Sequence, residues 1–121
     1  MAHILVVDDS PTETHIISKA LEKQGHRISV AVDGNEGVDK ATQLLPDLIL
    51  MDVVMPELNG FQATRQLTKQ PGTMNIPVIM VTTKEQKTDK MWAERQGAKG
   101  YITKPFEEQA LIDEVNRLLL A

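Results

Sequence analysis

The chain has 121 residues, of which 41% are hydrophobic and 3% aromatic, and it contains no cysteine. This length predicts a single domain over residues 1–121, and without cysteine a disulfide framework and a thiolate metal site are excluded. Because the net charge is −4 with no basic tract and no apolar run approaches the roughly 20 residues of a membrane span, we expect a cytoplasmic protein that neither binds nucleic acid nor inserts into a membrane.

Short apolar runs alternate with amphipathic stretches, which predicts an α/β fold of βαβ units around a parallel sheet. We predict five strands, at about 3–7, 27–32, 47–51, 77–82 and 99–103. Five helices are predicted around them: from Ser10 to Gly25, from Asp33 to Pro46, from near Asn59, at about 84–96 and at about 106–120.

The helices have recognisable start signals and apolar faces. The first combines the hydroxyl cap Ser10 with Pro11 at its first position and Glu13 three residues after the cap. The side chains expected to face the core are Ile16, Ile17, Ala20 and Leu21, then Val38, Ala41, Leu44 and Leu45, then Phe61 and Leu67, and finally Leu111, Val115, Leu118 and Leu119.

The fourth helix differs from the others because its first seven residues, 84–90, include no apolar side chain. Thr83 to Gln86 matches a capping box with Thr83 as the cap, which would leave the Thr82 hydroxyl free. Only Met91, Trp92 and Ala93 can pack on the core. We therefore expect this helix to be the least anchored of the five and a candidate moving part.

Acidic residues follow two of the predicted strands. Asp8 and Asp9 come after the first strand and Asp52 after the third, and the carboxyl ends of parallel strands meet at one edge of a sheet. Three carboxylates at close range repel one another unless a cation offsets their charge. Oxygen ligands of this kind suit Mg²⁺, which also shares phosphate oxygens. An isolated aspartate here could simply cap a turn, but three together favour a metal site.

A hydroxyl and an ammonium are expected at the same edge. Thr82 ends the fourth strand and Lys104 follows the fifth. Lys104 precedes Pro105, whose peptide bond could be cis and would then fix the direction of the lysine. With the three acids, these groups indicate a site for a divalent cation and a phosphoryl group. Glycine-rich nucleotide loops are absent from the sequence.

Four motifs in this order resemble the receiver domain of two-component response regulators over the whole chain: Val6 to Ser10, Leu50 to Gly60, Val81 to Lys84 and Tyr101 to Pro105. The resemblance implies a CheY-like, flavodoxin-like doubly wound fold, with five parallel strands in the order 2-1-3-4-5 and five helices. Stretches 60–69 and 92–97 are similar to stand-alone regulators of type IV pilus twitching motility. The implied process is therefore twitching motility or a chemotaxis-like control.

The resemblance also assigns the phosphoacceptor and the metal ligands. Asp52 would take a phosphoryl group from the phosphohistidine of a histidine kinase or phosphotransfer domain, forming an acyl phosphate. Asp9 and Asp52 would bind Mg²⁺ directly together with the backbone carbonyl of Val54, while Asp8 would act largely through water. On this view the protein is a phosphoacceptor that assists its own chemistry rather than an enzyme.

The same family pattern assigns a conformational switch. Thr82 and Lys104 would bind the phosphoryl oxygens, and the Lys104–Pro105 peptide bond would be cis. Thr82 and Tyr101 would form the switch pair, in which the hydroxyl moves toward the phosphoryl group and the aromatic ring turns inward. Trp92 and Tyr101 read either as half-buried packing residues or as part of a partner surface.

The sequence leaves several readings of the output open. We expect no output domain after the fifth helix, so that the output is either a downstream protein target docked on the face of helix 4, strand 5 and helix 5 or no output at all. The protein is expected to be a monomer. A phosphate sink that drains a shared kinase would need the same residues. A phosphoaspartyl hydrolase of the haloacid dehalogenase kind is disfavoured, since Val53 and Val54 follow Asp52 where such enzymes have Asp-x-Asp. A flavin-binding protein is disfavoured by the few aromatic residues.

Overall fold

Five parallel strands form one sheet in the order β2-β1-β3-β4-β5, with α1 and α5 on one face and α2, α3 and α4 on the other. The computed structural model describes residues 1–120; Ala121, the last residue of the predicted domain, lies outside the described residues. The elements in chain order are β1 His3–Val7, α1 Pro11–Glu22, β2 Arg27–Ala31, α2 Gly34–Leu44, β3 Leu48–Met51, α3 Gly60–Lys69, β4 Val78–Thr82, α4 Lys87–Arg95, β5 Gly100–Thr103 and α5 Glu108–Leu119. The predicted strand order and the five helices are confirmed.

The register of the central strands places their carboxyl ends side by side. Val7 pairs with Met51, so the residues that follow them, Asp8 and Asp52, leave the sheet at neighbouring points. On the other side of β4, Thr82 pairs with Thr103, the residue before Lys104. The functional candidates therefore start from one edge of the sheet because of strand pairing alone.

The two faces of the sheet bury different side chains of the same strands. In β1, Leu5 and Val7 pack toward α2 and α3, while Ile4 and Val6 pack toward α1 and α5. All four are at most 1% exposed. A strand covered by helices on both faces needs apolar residues at every position, which is why these runs are continuous rather than alternating.

Three of the residues predicted to face the core are exposed instead. Ile16, Leu44 and Leu45 are 49%, 43% and 57% exposed. In α1 the buried stripe includes Thr14 with Ile17, Ala20 and Leu21, so Ile16 lies beside the stripe rather than in it. Leu45 is the residue after α2 and has a left-handed φ of 47°, which turns the chain away before Leu45 can pack as a helical residue.

The start of the fourth helix was also predicted wrongly. α4 begins at Lys87 with Gln86 as its cap, and the Gln86 N–H donates to the Asp89 carboxylate at 3.2 Å. Thr83 therefore does not cap the helix, because residues 84–86 run in an irregular segment before the first turn. Of the three residues expected to pack, Ala93 is buried, whereas Met91 and Trp92 are each 49% exposed. The sparse anchoring of α4 is confirmed.

Within residues 1–120, no helix is long and apolar enough to span a membrane.

The start of α3 lies directly against the loop after β3. The Gly60 N–H donates to the Val53 carbonyl at 3.0 Å, and a Cβ on Gly60 would lie 2.0 Å from the Asp52 carbonyl oxygen. Only glycine allows this approach, since that distance is far below van der Waals contact. The close approach fixes the position of the loop that carries Asp52.

We predict that Gly60→Ala destabilises the protein by about 2 kcal/mol or more, because the added methyl group must displace backbone rather than a flexible side chain. The measurement is the free energy of unfolding in urea. Gly72→Ala is the control, since a Cβ there would meet nothing within 4 Å and should change stability by less than about 1 kcal/mol. Equal stability of the two variants would contradict the packing described for Gly60.

Candidate functional site

Three carboxylates meet at the carboxyl edge of the sheet. Asp8 and Asp52 are 2% and 8% exposed, while Asp9 is exposed. Each of the three offers an oxygen atom, and these oxygens all lie within 4.8 Å of one another. The structure thus brings together the three acids that the sequence singled out, two of them largely removed from solvent.

The loop after β1 is held by its own polar groups. The Asp8 N–H donates to the Ala31 carbonyl of β2 at 3.0 Å, and the Asp8 Oδ1 accepts from the Ser10 N–H at 2.9 Å. Ser10 caps α1 through its hydroxyl, which accepts from the Glu13 N–H at 3.3 Å, as predicted. One Asp8 oxygen is therefore committed to the backbone and the other faces the site.

Lys104 supplies the positive charge of the site. Its Nζ lies 2.7 Å from Asp8 Oδ2 and 3.8 Å from Asp52 Oδ2. Its backbone N–H donates to the Thr82 carbonyl at 2.8 Å, which ties the residue after β5 to the end of β4. The Lys104–Pro105 peptide bond is cis, as the sequence suggested. Lys104 is not a solvated surface lysine, because its side chain is only 9% exposed.

Burial dominates the electrostatics of Asp52. Removal from water raises its pKa from 3.8 to about 6, the Lys104 ammonium opposes this rise, and the Asp8 carboxylate adds to it. The Val54 N–H donates to Asp52 Oδ1 over a long 3.4 Å. The ionised form of Asp52 is therefore under-compensated by the protein itself.

The donor set fits a hard divalent cation. It consists of carboxylate oxygens, and an added positive charge would stabilise the buried Asp52 carboxylate, whose pKa is raised by burial and further by Asp8. Val54, whose carbonyl was predicted as a further ligand, lies in the loop that follows Asp52, and the residue is 56% exposed. Asp8, Asp9, Asp52 and the Val54 backbone are the groups that could hold Mg²⁺ here.

Thr82 and Tyr101 both bind the backbone of one residue, Lys84. The Thr82 Oγ1 accepts from the Lys84 N–H at 3.3 Å, and the Tyr101 hydroxyl donates to the Lys84 carbonyl at 2.7 Å. Thr82 is fully buried. The capping box predicted for Thr83 would leave the Thr82 hydroxyl free, but in the structure this hydroxyl accepts the hydrogen bond from Lys84. Burial, with a further contribution from Asp89, raises the pKa of Tyr101 to about 12, so the phenol is a stable donor.

Sequence reasoning missed two residues of this site. Glu13 was read as a helix-start residue, but its Oε2 lies 4.0 Å from Lys104 Nζ. Lys84 was read as part of a capping box, whereas its peptide groups join Thr82 to Tyr101. The signal for Glu13 was available: α1 starts just past the acids of β1, so its first turn lies at the same edge of the sheet.

We predict that Asp52→Asn raises the free energy of unfolding near pH 7 by about 1–3 kcal/mol in chelator-treated buffer. Because the folded-state pKa of about 6 exceeds the ordinary 3.8, the folded protein binds this proton more tightly than the unfolded chain. The wild type therefore gains stability relative to the variant as pH falls through about 6, and the difference vanishes near pH 4. Urea unfolding at several pH values measures this.

Asp39→Asn is the control for this experiment, because Asp39 is an exposed residue of α2. Its effect on stability should be small at every pH. A wild type more stable than Asp52→Asn near pH 7 would contradict the stated charge balance.

Sequence comparison places the chain among known proteins. The sequence model of one protein family, the response regulator receiver domain, matches residues 4–116 of this chain. Protein PilH of Pseudomonas aeruginosa is 57% identical over 119 residues, which make up 98% of each chain. The DNA-binding dual master transcriptional regulator RpaA of Synechocystis is 39% identical over 98% of this chain, which corresponds to 49% of that protein.

Structural comparison agrees with these matches. The chemotaxis protein CheY4 of Vibrio cholerae has a TM-score of 0.92 at 32% identity, covering 98% of both chains. The receiver domain of the sensor histidine kinase PA1611 of Pseudomonas aeruginosa, solved with a magnesium ion coordinated in its active site cleft, has a TM-score of 0.92 at 30% identity, covering 99% of this chain and 98% of that one. The chain therefore has the CheY-like fold and belongs to the response regulator receiver domain family.

Proposed function

We propose that the chain is a stand-alone response regulator that accepts a phosphoryl group on Asp52 with Mg²⁺ bound beside it. The observation that carries the proposal is the position of Asp52, which is buried, under-compensated and 3.8 Å from the Lys104 ammonium. Asp8 and Asp9 lie next to it. The donor is a phosphohistidine of a histidine kinase or phosphotransfer domain, as the family implies. The protein acts in the cytoplasm as a single domain and a monomer.

In the proposed reaction, a carboxylate oxygen of Asp52 attacks phosphorus, and the phosphorus–nitrogen bond of the donor breaks. The electron pair of that bond stays with the imidazole nitrogen, and the product is an acyl phosphate. Asp9, Asp52 and the Val54 carbonyl would hold Mg²⁺, with Asp8 acting through water, and the cation would supply positive charge beside the phosphoryl oxygens. Such reactions are catalysed mainly by alignment and charge stabilisation.

Lys104 has a distinct role at each stage. Before transfer its ammonium binds Asp8 at 2.7 Å and moderates the charge of Asp52. After transfer the acyl phosphate carries more negative charge than the carboxylate it replaces, and a small movement of Nζ across the 3.8 Å gap brings it to a phosphoryl oxygen. The Thr82 hydroxyl donates to another of these oxygens.

The switch follows from the bonds at Lys84. When the Thr82 hydroxyl turns to the phosphoryl group, the Lys84 N–H loses its side-chain acceptor, and the segment before α4 is freed to shift. Tyr101, bound to the carbonyl of the same residue, is released to turn inward. The half-exposed Met91 and Trp92 of α4 would then present a changed surface to the target on the α4–β5–α5 face.

The 57% identity to PilH over 98% of the chain supports a role in type IV pilus twitching motility. The match covers 98% of this chain and 98% of PilH, which supports a stand-alone regulator as well. By contrast, the match with RpaA covers only 49% of that protein.

We expect acetyl phosphate to add one phosphoryl group to the wild type in the presence of Mg²⁺ and none after Mg²⁺ is chelated. The variant Asp52→Asn should gain no mass, because it lacks the nucleophilic oxygen, while the control Asp39→Asn should behave like the wild type. Intact-mass spectrometry measures the product. A phosphoryl group on Asp52→Asn would refute the assignment of the acceptor.

We also expect phosphorylation to change amide deuterium uptake in the segment from residue 84 to residue 101. Thr82→Ala should keep its phosphorylation but lose most of that change, because the proposed link from the phosphoryl group to Lys84 runs through the hydroxyl. Thr83→Ala is the matched control, since Thr83 is exposed, and should respond like the wild type. A full response in phosphorylated Thr82→Ala would exclude this switch.

A further inference from the structure

Glu13 is a charged neighbour of the site that the proposed chemistry does not use. Its carboxylate lies 4.0 Å from the Lys104 ammonium, on the side chain of the third residue of α1. The Glu13 side chain is 34% exposed, against 3% for Asp8 and 10% for Asp52. It is thus the partner of Lys104 that is open to solvent, whereas the other two lie in the interior.

Glu13 leaves the site with an uncompensated negative charge. Lys104 is already in contact with Asp8 at 2.7 Å, so one ammonium faces three carboxylates within 4.0 Å, with Asp9 beside them. Glu13 is not among the acids that could converge on one ion. Its effect on anything entering the site must therefore come from its charge rather than from ligation.

We propose that Glu13 is a specificity-determining residue that sets the negative potential at the mouth of the site. This inference rests on the proposed function. That potential attracts the divalent cation and repels small dianionic phosphodonors. A free dianion such as acetyl phosphate must approach through solvent against this charge, whereas a phosphohistidine is delivered by a protein whose docking energy offsets the repulsion. The residue thereby favours the protein donor over free acyl phosphates.

The expected effects follow from Coulomb repulsion between the Glu13 carboxylate and an anionic phosphodonor at a solvent-exposed rim. Glu13→Gln should react with acetyl phosphate about threefold faster at saturating Mg²⁺, the size expected for one unit charge at short range in high dielectric and moderate salt. Its rate should depend less on ionic strength than that of the wild type. With phosphoramidate, which carries less negative charge near neutral pH, the gain should be smaller.

Binding of the cation supplies a readout that needs no phosphorylation. By titration calorimetry, Glu13→Gln should bind Mg²⁺ about threefold more weakly, and Glu13→Asp should retain most of the affinity. Glu22→Gln makes the same charge change at the far end of α1, where the residue is exposed, and should match the wild type in every assay.

Two results would overturn the role of Glu13: an unchanged Mg²⁺ affinity, or an equal slowing with both phosphodonors, which would mean that Glu13 merely positions Lys104. If no variant and not even the wild type gains a phosphoryl group, the proposed function fails, and the Mg²⁺ titration alone then decides the charge role of Glu13.

Discussion

A single ammonium, Lys104 Nζ, lies among three carboxylates at the carboxyl edge of the sheet, and this imbalance of charge shapes the rest of the site. Two of the acids are buried, so water screens them poorly, and the closest contact of the ammonium is with Asp8 rather than Asp52. Burial is the main reason why the pKa of Asp52 rises to about 6, and the neighbouring Asp8 carboxylate adds to this rise while Lys104 opposes it. A protein selected for stability alone would not keep such a cluster, because removing one acid would relieve the repulsion. The imbalance is understandable if a cation completes the site.

Besides the ion pair of Lys104 with Asp8, backbone contacts of the fold hold this cluster together. Parallel pairing aligns the ends of β1 and β3, the Lys104 N–H is fixed to the end of β4, and the contact of Gly60 with the Asp52 carbonyl fixes the loop after β3. Each acid therefore stays in place although its neighbours repel it. The apolar layers on both faces of the sheet supply the free energy that opposes this repulsion.

Much of this arrangement was predictable because continuous apolar runs mark buried parallel strands, and the polar residue after each run must lie at a common edge. This reasoning located Asp8, Asp9, Asp52, Thr82 and Lys104 correctly on the fold. It failed where the outcome depends on geometry beyond one element. Leu45 is apolar but follows a left-handed turn, and Thr83 has the right neighbours for a cap although the helix starts later. The start of α1 just past Asp9 indicates that Glu13 lies at this edge of the sheet, but its 4.0 Å distance from Lys104 depends on how α1 packs on the sheet, which no local pattern encodes.

The proposed switch would be short, because its two proposed members, Thr82 and Tyr101, are joined through one residue. Thr82 and Tyr101 come from adjacent strands, and both hydroxyl groups bind the peptide groups of Lys84. A change at Thr82 therefore needs no long chain of contacts to reach α4, whose packing on the sheet is sparse. Coupling of this kind requires an element with two arrangements of similar free energy. Among its potential packing residues α4 buries one alanine, Ala93, and it begins after an irregular segment. It therefore meets that requirement better than a well-packed helix of this fold would.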